Sequence, residues 1–152
     1  MQKDESINQL LEFAIGEEDA AYNFYMDLAS KMERPWMKQV FEGFALEEKG
    51  HKAKLKAMLK NEWPLVAGNN KAKDLKIADY LVEQEVRPDL DYQQALIIAM
   101  KKEKAAFRMY SDLAAATSSS QLRDALLYLA QEEAKHKLRF EVEYDDEVFK
   151  EN

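Results

Sequence analysis

Residues 44–55 read FALEEKGHKAKL and residues 129–140 read LAQEEAKHKLRF. In each stretch a Glu-x-x-His pair stands between large apolar residues at helical spacing. Glu48 and His51 lie between Phe44 and Leu55, and Glu133 and His136 lie between Leu129 and Phe140. Residues three and four apart share one face of a helix. An apolar stripe broken in this way turns a carboxylate and an imidazole together toward the core. These two histidines are the only ones in the chain, and each holds the same place in its stretch.

The likeness extends outward. Sliding the chain on itself by 85 residues aligns its halves without a gap. Leu11, Ala14, Glu18, Ala21, Tyr25 and Leu28 fall on Leu96, Ala99, Glu103, Ala106, Tyr110 and Leu113. Ala45, Glu47, Glu48, His51 and Lys52 fall on Ala130, Glu132, Glu133, His136 and Lys137. The chain is therefore a two-fold repeat of a helical hairpin, about residues 6–61 and 91–146, in a single domain. The repeat also separates neighbours. Glu18 is matched by Glu103, whereas Glu17 is matched by Lys102, so Glu18 is the site candidate.

Four glycines and three prolines in 152 residues favour long helices. The first stripe is Ile7, Leu10, Ala14, Ala21, Tyr25, Leu28 and Met32, opened by a capping-box pattern at Ser6 and Gln9. Arg34-Pro35 ends it, and Pro35 suits the first turn of the next helix. Met37, Phe41, Phe44, Leu55 and Met58 form the second stripe. The third follows Asp91, a natural N-cap, with Tyr92, Ala95, Ala99, Ala106, Tyr110 and Leu113. After a polar turn over 117–120 comes the fourth, with Leu122, Leu126, Leu129, Phe140 and Tyr144. Short turns make each half an antiparallel hairpin, and the crossover over 62–91 is long enough to join two parallel helices. Ile77, Tyr80, Leu81 and Gln84 predict a short helix within it. The expected fold is all-α, a four-helix bundle of two hairpins.

Burying four carboxylates together is prohibitive without countercharge, because each ion taken out of water costs several kcal/mol. Two divalent cations balance four carboxylates, and neutral imidazoles complete such sites through one ring nitrogen. Glu18, Glu48, His51, Glu103, Glu133 and His136 are thus the candidate metal ligands. A single Glu-x-x-His would be an ordinary surface pair; two in register, with matching glutamates and apolar flanks, are not. Glu47 and Glu132 are either partners that orient a histidine or solvated. Tyr25 and Tyr110 share a face with Glu18 and Glu103, and are either core or aimed at the metal pocket. No catalytic residue is assigned.

Composition excludes several alternatives. There is no cysteine, hence no disulfide, zinc–thiolate site or thiolate-held iron–sulfur cluster in this chain. A net charge of −7 argues against a nucleic-acid partner. No apolar run is longer than Ala95 to Met100, which falls far short of the roughly 20 residues that span a bilayer. With a polar N-terminus, the expected setting is cytoplasmic and away from membranes.

At this point the sequence resembles the rubrerythrin branch of the ferritin-like superfamily. The resemblance runs from about Ser6 to Tyr144 and rests on Ala14-x3-Glu18-x6-Tyr25, Glu47-Glu48-x2-His51, Ala99-x3-Glu103-x6-Tyr110 and Glu132-Glu133-x2-His136. It implies a carboxylate-bridged pair of irons, with Glu48 and Glu133 as bridges and Glu18 and Glu103 as terminal ligands. It also implies chemistry with peroxide or dioxygen and a homodimer. Two departures matter: the family's cysteine-ligated electron-delivery domain has no cysteines here, and its extra glutamate after the third-helix ligand is Ala106.

Four functions follow as expectations. The first is a di-iron oxidoreductase reducing peroxide or dioxygen with an external electron donor. The others are a ferroxidase or iron-storage protein, a non-enzymatic metal or partner binder, and a substrate oxygenase. Manganese suits the same ligands as iron.

Overall fold

The structure is a computed structural model that describes residues 5–60 and 90–151. They form four helices: α1 Glu5–Lys31, α2 Pro35–Leu59, α3 Tyr92–Ala116 and α4 Ser120–Glu151. The short helix expected around Ile77 to Gln84 lies outside the described residues, as does most of the crossover.

Local chemistry sets the helix ends. Pro35 opens α2 in its first turn, where a missing N–H costs nothing, behind Arg34 in an extended conformation. Asp91 caps α3 through a complete capping box. Its Oδ1 accepts from the Gln94 N–H at 2.7 Å, and the Gln94 side chain accepts from the Asp91 N–H at 3.1 Å. Between α3 and α4, Ser119 Oγ accepts from the Leu122 N–H at 3.2 Å, and Arg123 donates to the Thr117 carbonyl at 3.2 Å. Two boundaries differ from expectation. Glu5 is already helical, so Ser6 is inside α1 rather than capping it, and α4 runs on to Glu151.

The apolar stripes pack into two clusters, one at each end of the bundle. One joins the start of α1 (Ile7, Leu11) and end of α2 (Leu55) to the end of α3 (Leu113) and start of α4 (Leu122). The other joins Tyr25 and Leu28 of α1 with Phe41 of α2, Leu96 of α3 and Phe140 of α4. Hence α1 and α4 run one way and α2 and α3 the other, so the crossover joins parallel helices. Phe41, Phe140 and Tyr25 are fully buried with rings 5.7–6.3 Å apart. Such side chains contribute roughly 1.5–3 kcal/mol each by burial. Between the two clusters the stripes carry Glu and His instead of apolar residues.

Candidate metal centre

Each helix delivers its polar residues to the same level of the bundle. Glu18 comes from α1, Glu48 and His51 from α2, Glu103 from α3, and Glu133 and His136 from α4. All six are at most 4% exposed. They form two groups, Glu18, Glu48, His51 and Glu133 in one, and Glu48, Glu103, Glu133 and His136 in the other. Within each group one donor atom per residue lies within 4.8 Å of the rest. Glu48 and Glu133 belong to both. His51 Nδ1 lies 2.6 Å from Glu133 Oε1, 3.2 Å from Glu48 Oε1 and 3.5 Å from Glu18 Oε2. His136 Nδ1 lies 3.4 Å from Glu48 Oε1 and 3.7 Å from Glu103 Oε1.

Buried polar atoms are nearly always hydrogen-bonded. Here Glu18 Oε2, Glu48 Oε1, Glu103 Oε2, both Glu133 oxygens and both histidine Nδ1 atoms have no hydrogen-bond partner. His136 Nε2 shares that state, and outside the cluster only Asn8 Oδ1 does among the described residues. The Nδ1 atoms approach carboxylate oxygens closely without the alignment of a hydrogen bond, as suits donors that share an ion rather than a proton. The donor set, four carboxylates and two imidazoles, fits a pair of divalent metals such as iron or manganese.

Without metal, protons take over the charge balance. Burial, then the charges of Glu103, Glu48 and Glu18, push the Glu133 carboxyl well above its ordinary range. Burial and the Glu48 charge push Glu18 up to about 7, against the opposing pull of the nearby His51 imidazole and the hydrogen bond from Tyr110. Burial alone would lower both imidazoles, but the facing carboxylates hold His51 up at about 9 and His136 at about 10. Burial would likewise raise Glu48, yet it faces both imidazoles and falls to about 2. Metal entering this cluster therefore displaces protons.

The two tyrosines reach across the repeat. Tyr25 of α1 donates to Glu103 Oε1 at 2.5 Å, and Tyr110 of α3 donates to Glu18 Oε1 at 2.6 Å. Burial, then the neighbouring carboxylates, hold both phenols protonated, well above the usual tyrosine range. Each bond occupies one oxygen of a glutamate and leaves the other, Oε2, without a hydrogen-bond partner.

Glu47 and Glu132 part company. Glu47 Oε2 lies 3.2 Å from His136 Nε2, the ring nitrogen away from the cluster. Glu132 pairs with Lys135 at 3.2 Å. A cavity of about 150 Å³ also opens between α1 and α3, with Glu18, Glu48, Glu103 and Glu133 in its wall. Ala20, Ala21, Ala105 and Ala106 leave the space, and Glu17 and Lys102 line it. The repeat had set these last two aside as a mismatched pair; their opposite signs at one repeat position were the available signal.

The family model for rubrerythrin matches residues 9–144. The chain belongs to the rubrerythrin family. Two solved structures share the fold. One, from Thermotoga maritima, is described as a ferritin-like diiron-carboxylate protein; it has 20% identity and a TM-score of 0.75, over 93% of this chain and 95% of that one. The other is a hypothetical protein from Pyrococcus furiosus, with 24% identity and a TM-score of 0.69, over 91% of this chain and 88% of that one. At such identities the likeness speaks to fold alone. No curated protein matches the sequence. Among the described residues no helix is long and apolar enough to cross a membrane.

Proposed function

We propose that this rubrerythrin-family chain holds two iron ions through Glu18, Glu48, His51, Glu103, Glu133 and His136, and reduces hydrogen peroxide or dioxygen with electrons from an external donor. The observation that carries this reading is the membership of Glu48 and Glu133 in both four-residue groups. Two separate structural ions would not need common ligands. Two carboxylates held in common are the natural bridges of a coupled pair.

When bound, a pair of ferrous ions would supply the two electrons that, with two protons from solvent, reduce one hydrogen peroxide to two waters. The chain's own residues prepare the place. Tyr110 and Tyr25 hold Glu18 and Glu103 by one oxygen each and leave the other free to ligate. His51 and His136 offer Nδ1 on the α2 and α4 side. Glu47, with Oε2 3.2 Å from His136 Nε2, stands where a hydrogen bond to that nitrogen would keep Nδ1 turned inward. The cavity between α1 and α3 admits a small oxidant, and the apolar clusters on either side keep bulk water out.

The test is metal content after expression, followed by peroxide addition to the anaerobically reduced protein with absorbance as readout. About two irons per chain and rapid oxidation by peroxide are expected. Two irons with no response to peroxide or dioxygen would overturn the redox assignment and favour iron handling. No uptake of Fe(II) would overturn the metal centre itself.

A further inference from the structure

In the cavity beside the centre, residues related by the repeat are alike except in one place. Glu18 corresponds to Glu103, Glu48 to Glu133, and Ala20 and Ala21 to Ala105 and Ala106, and all of them line the cavity. Glu17 and Lys102 also occupy equivalent positions, yet carry opposite charge. Both are partly buried, and each feels the charge of the other. Lys102 Nζ is further placed over the Phe24 ring, 4.9 Å from its centroid. Among the described residues lining this cavity, Lys102 is the one cation.

The consequence lies in the charge that an incoming molecule meets. With two metals in place, divalent or trivalent, the charge of the four ligating carboxylates is at least balanced. What remains at the wall is Glu17 on one side and Lys102 on the other. A cavity of 150 Å³ holds nothing much larger than benzene, so the molecules concerned have only a few heavy atoms. Without Lys102, every charged side chain in this wall would be a carboxylate, and a small anion would be repelled.

We infer that Lys102 determines ligand specificity at the centre, giving small anions such as hydroperoxide or azide a hold that neutral molecules of the same size do not share. The inference rests on the reading that the six residues bind metal. An ammonium several ångströms from a bound anion, in half-buried surroundings, is worth about tenfold in affinity. Glu17 acts in the opposite sense from across the cavity.

Azide binding is the direct test, followed by absorbance on iron-loaded, air-oxidised protein, with nitric oxide on the reduced protein as the neutral probe. Lys102→Met should weaken azide about tenfold and leave nitric oxide and iron content unchanged. Lys102→Arg should restore azide affinity, and Glu17→Gln should tighten it. Unchanged azide affinity in Lys102→Met would overturn the inference, as would an equal loss of azide and nitric oxide, which would mean a distorted centre. Failure to load iron would remove its basis. The two readings separate cleanly. Lys102-dependent azide binding in a protein indifferent to peroxide and dioxygen upholds this inference and sinks the proposed reaction; peroxide turnover with azide affinity indifferent to Lys102 does the reverse.

Discussion

Replacing Glu133 by methionine should have opposite effects in the presence and absence of metal. The Glu133 side chain is 0% exposed, and neither of its oxygens has a hydrogen-bond partner. Burial and the charges of Glu103, Glu48 and Glu18 all oppose its ionisation. A buried polar group left unsatisfied costs about 1–3 kcal/mol, and an apolar side chain of similar shape relieves that cost. Met is close to Glu in length and adds no donor or acceptor. The metal-free variant should therefore gain about 2 kcal/mol, which for a domain of this size raises Tm by about 4–8 °C. With metal the order inverts, because Glu133 belongs to both ligand groups and its loss weakens both positions. Thermal unfolding followed by circular dichroism, with chelator and then with stoichiometric Fe(II) under anaerobic conditions, reads both effects. A metal-free variant no more stable than wild type would refute the reasoning, since the Glu133 carboxyl would then already be satisfied without an ion. A variant that still gained as much Tm from Fe(II) as wild type would refute the shared-ligand role.

Replacing His51 and His136 together by alanine should lower iron from about two per chain to well under one, by elemental analysis; undiminished loading would remove both from the ligand set. Glu47→Gln should weaken one of the two metal positions about tenfold through His136, whereas Glu132→Gln should do so far less, by competition with a chromophoric chelator. The metal-free protein should lose stability steadily as pH rises. Glu18 at about 7 lies above its ordinary 4.5, and His51 and His136 at about 9 and about 10 lie above 6.5, so the folded state holds more protons than the unfolded one through that range. Glu48, held at about 2, has the opposite sign and costs stability only as pH falls below about 4.5. Tm in chelator should thus peak near pH 4.5 and fall toward pH 10; a flat profile would mean that these groups do not titrate in the core.

The bundle and the cluster were legible in the chain because both depend on spacing alone. Helical periodicity decides which residues face inward, so Glu18, Glu48, His51, Glu103, Glu133 and His136 could be read off as interruptions of apolar stripes. Pro35 and Asp91 act within a few residues of themselves, and their roles were equally plain. What periodicity cannot supply is where a side chain ends once it has entered the core. Tyr25 is 78 positions from Glu103, so its hydroxyl could be placed only by the packing of two hairpins. Glu47 and Glu132 match in the repeat, yet one reaches a histidine and the other a lysine on its own helix. The cavity is a property of small residues on two helices at once, and no single stripe announces it.

The crossed bonds from Tyr25 to Glu103 and from Tyr110 to Glu18 mean that neither hairpin owns a complete ligand environment. Two separate copies of one hairpin could in principle reproduce that exchange, each lending its tyrosine to the other. Identical copies could never place a glutamate on one wall and a lysine on the opposite one. Joining the halves in one polypeptide is what frees equivalent positions to diverge, so the fused chain can have a handed interior where a dimer of hairpins would be condemned to symmetry.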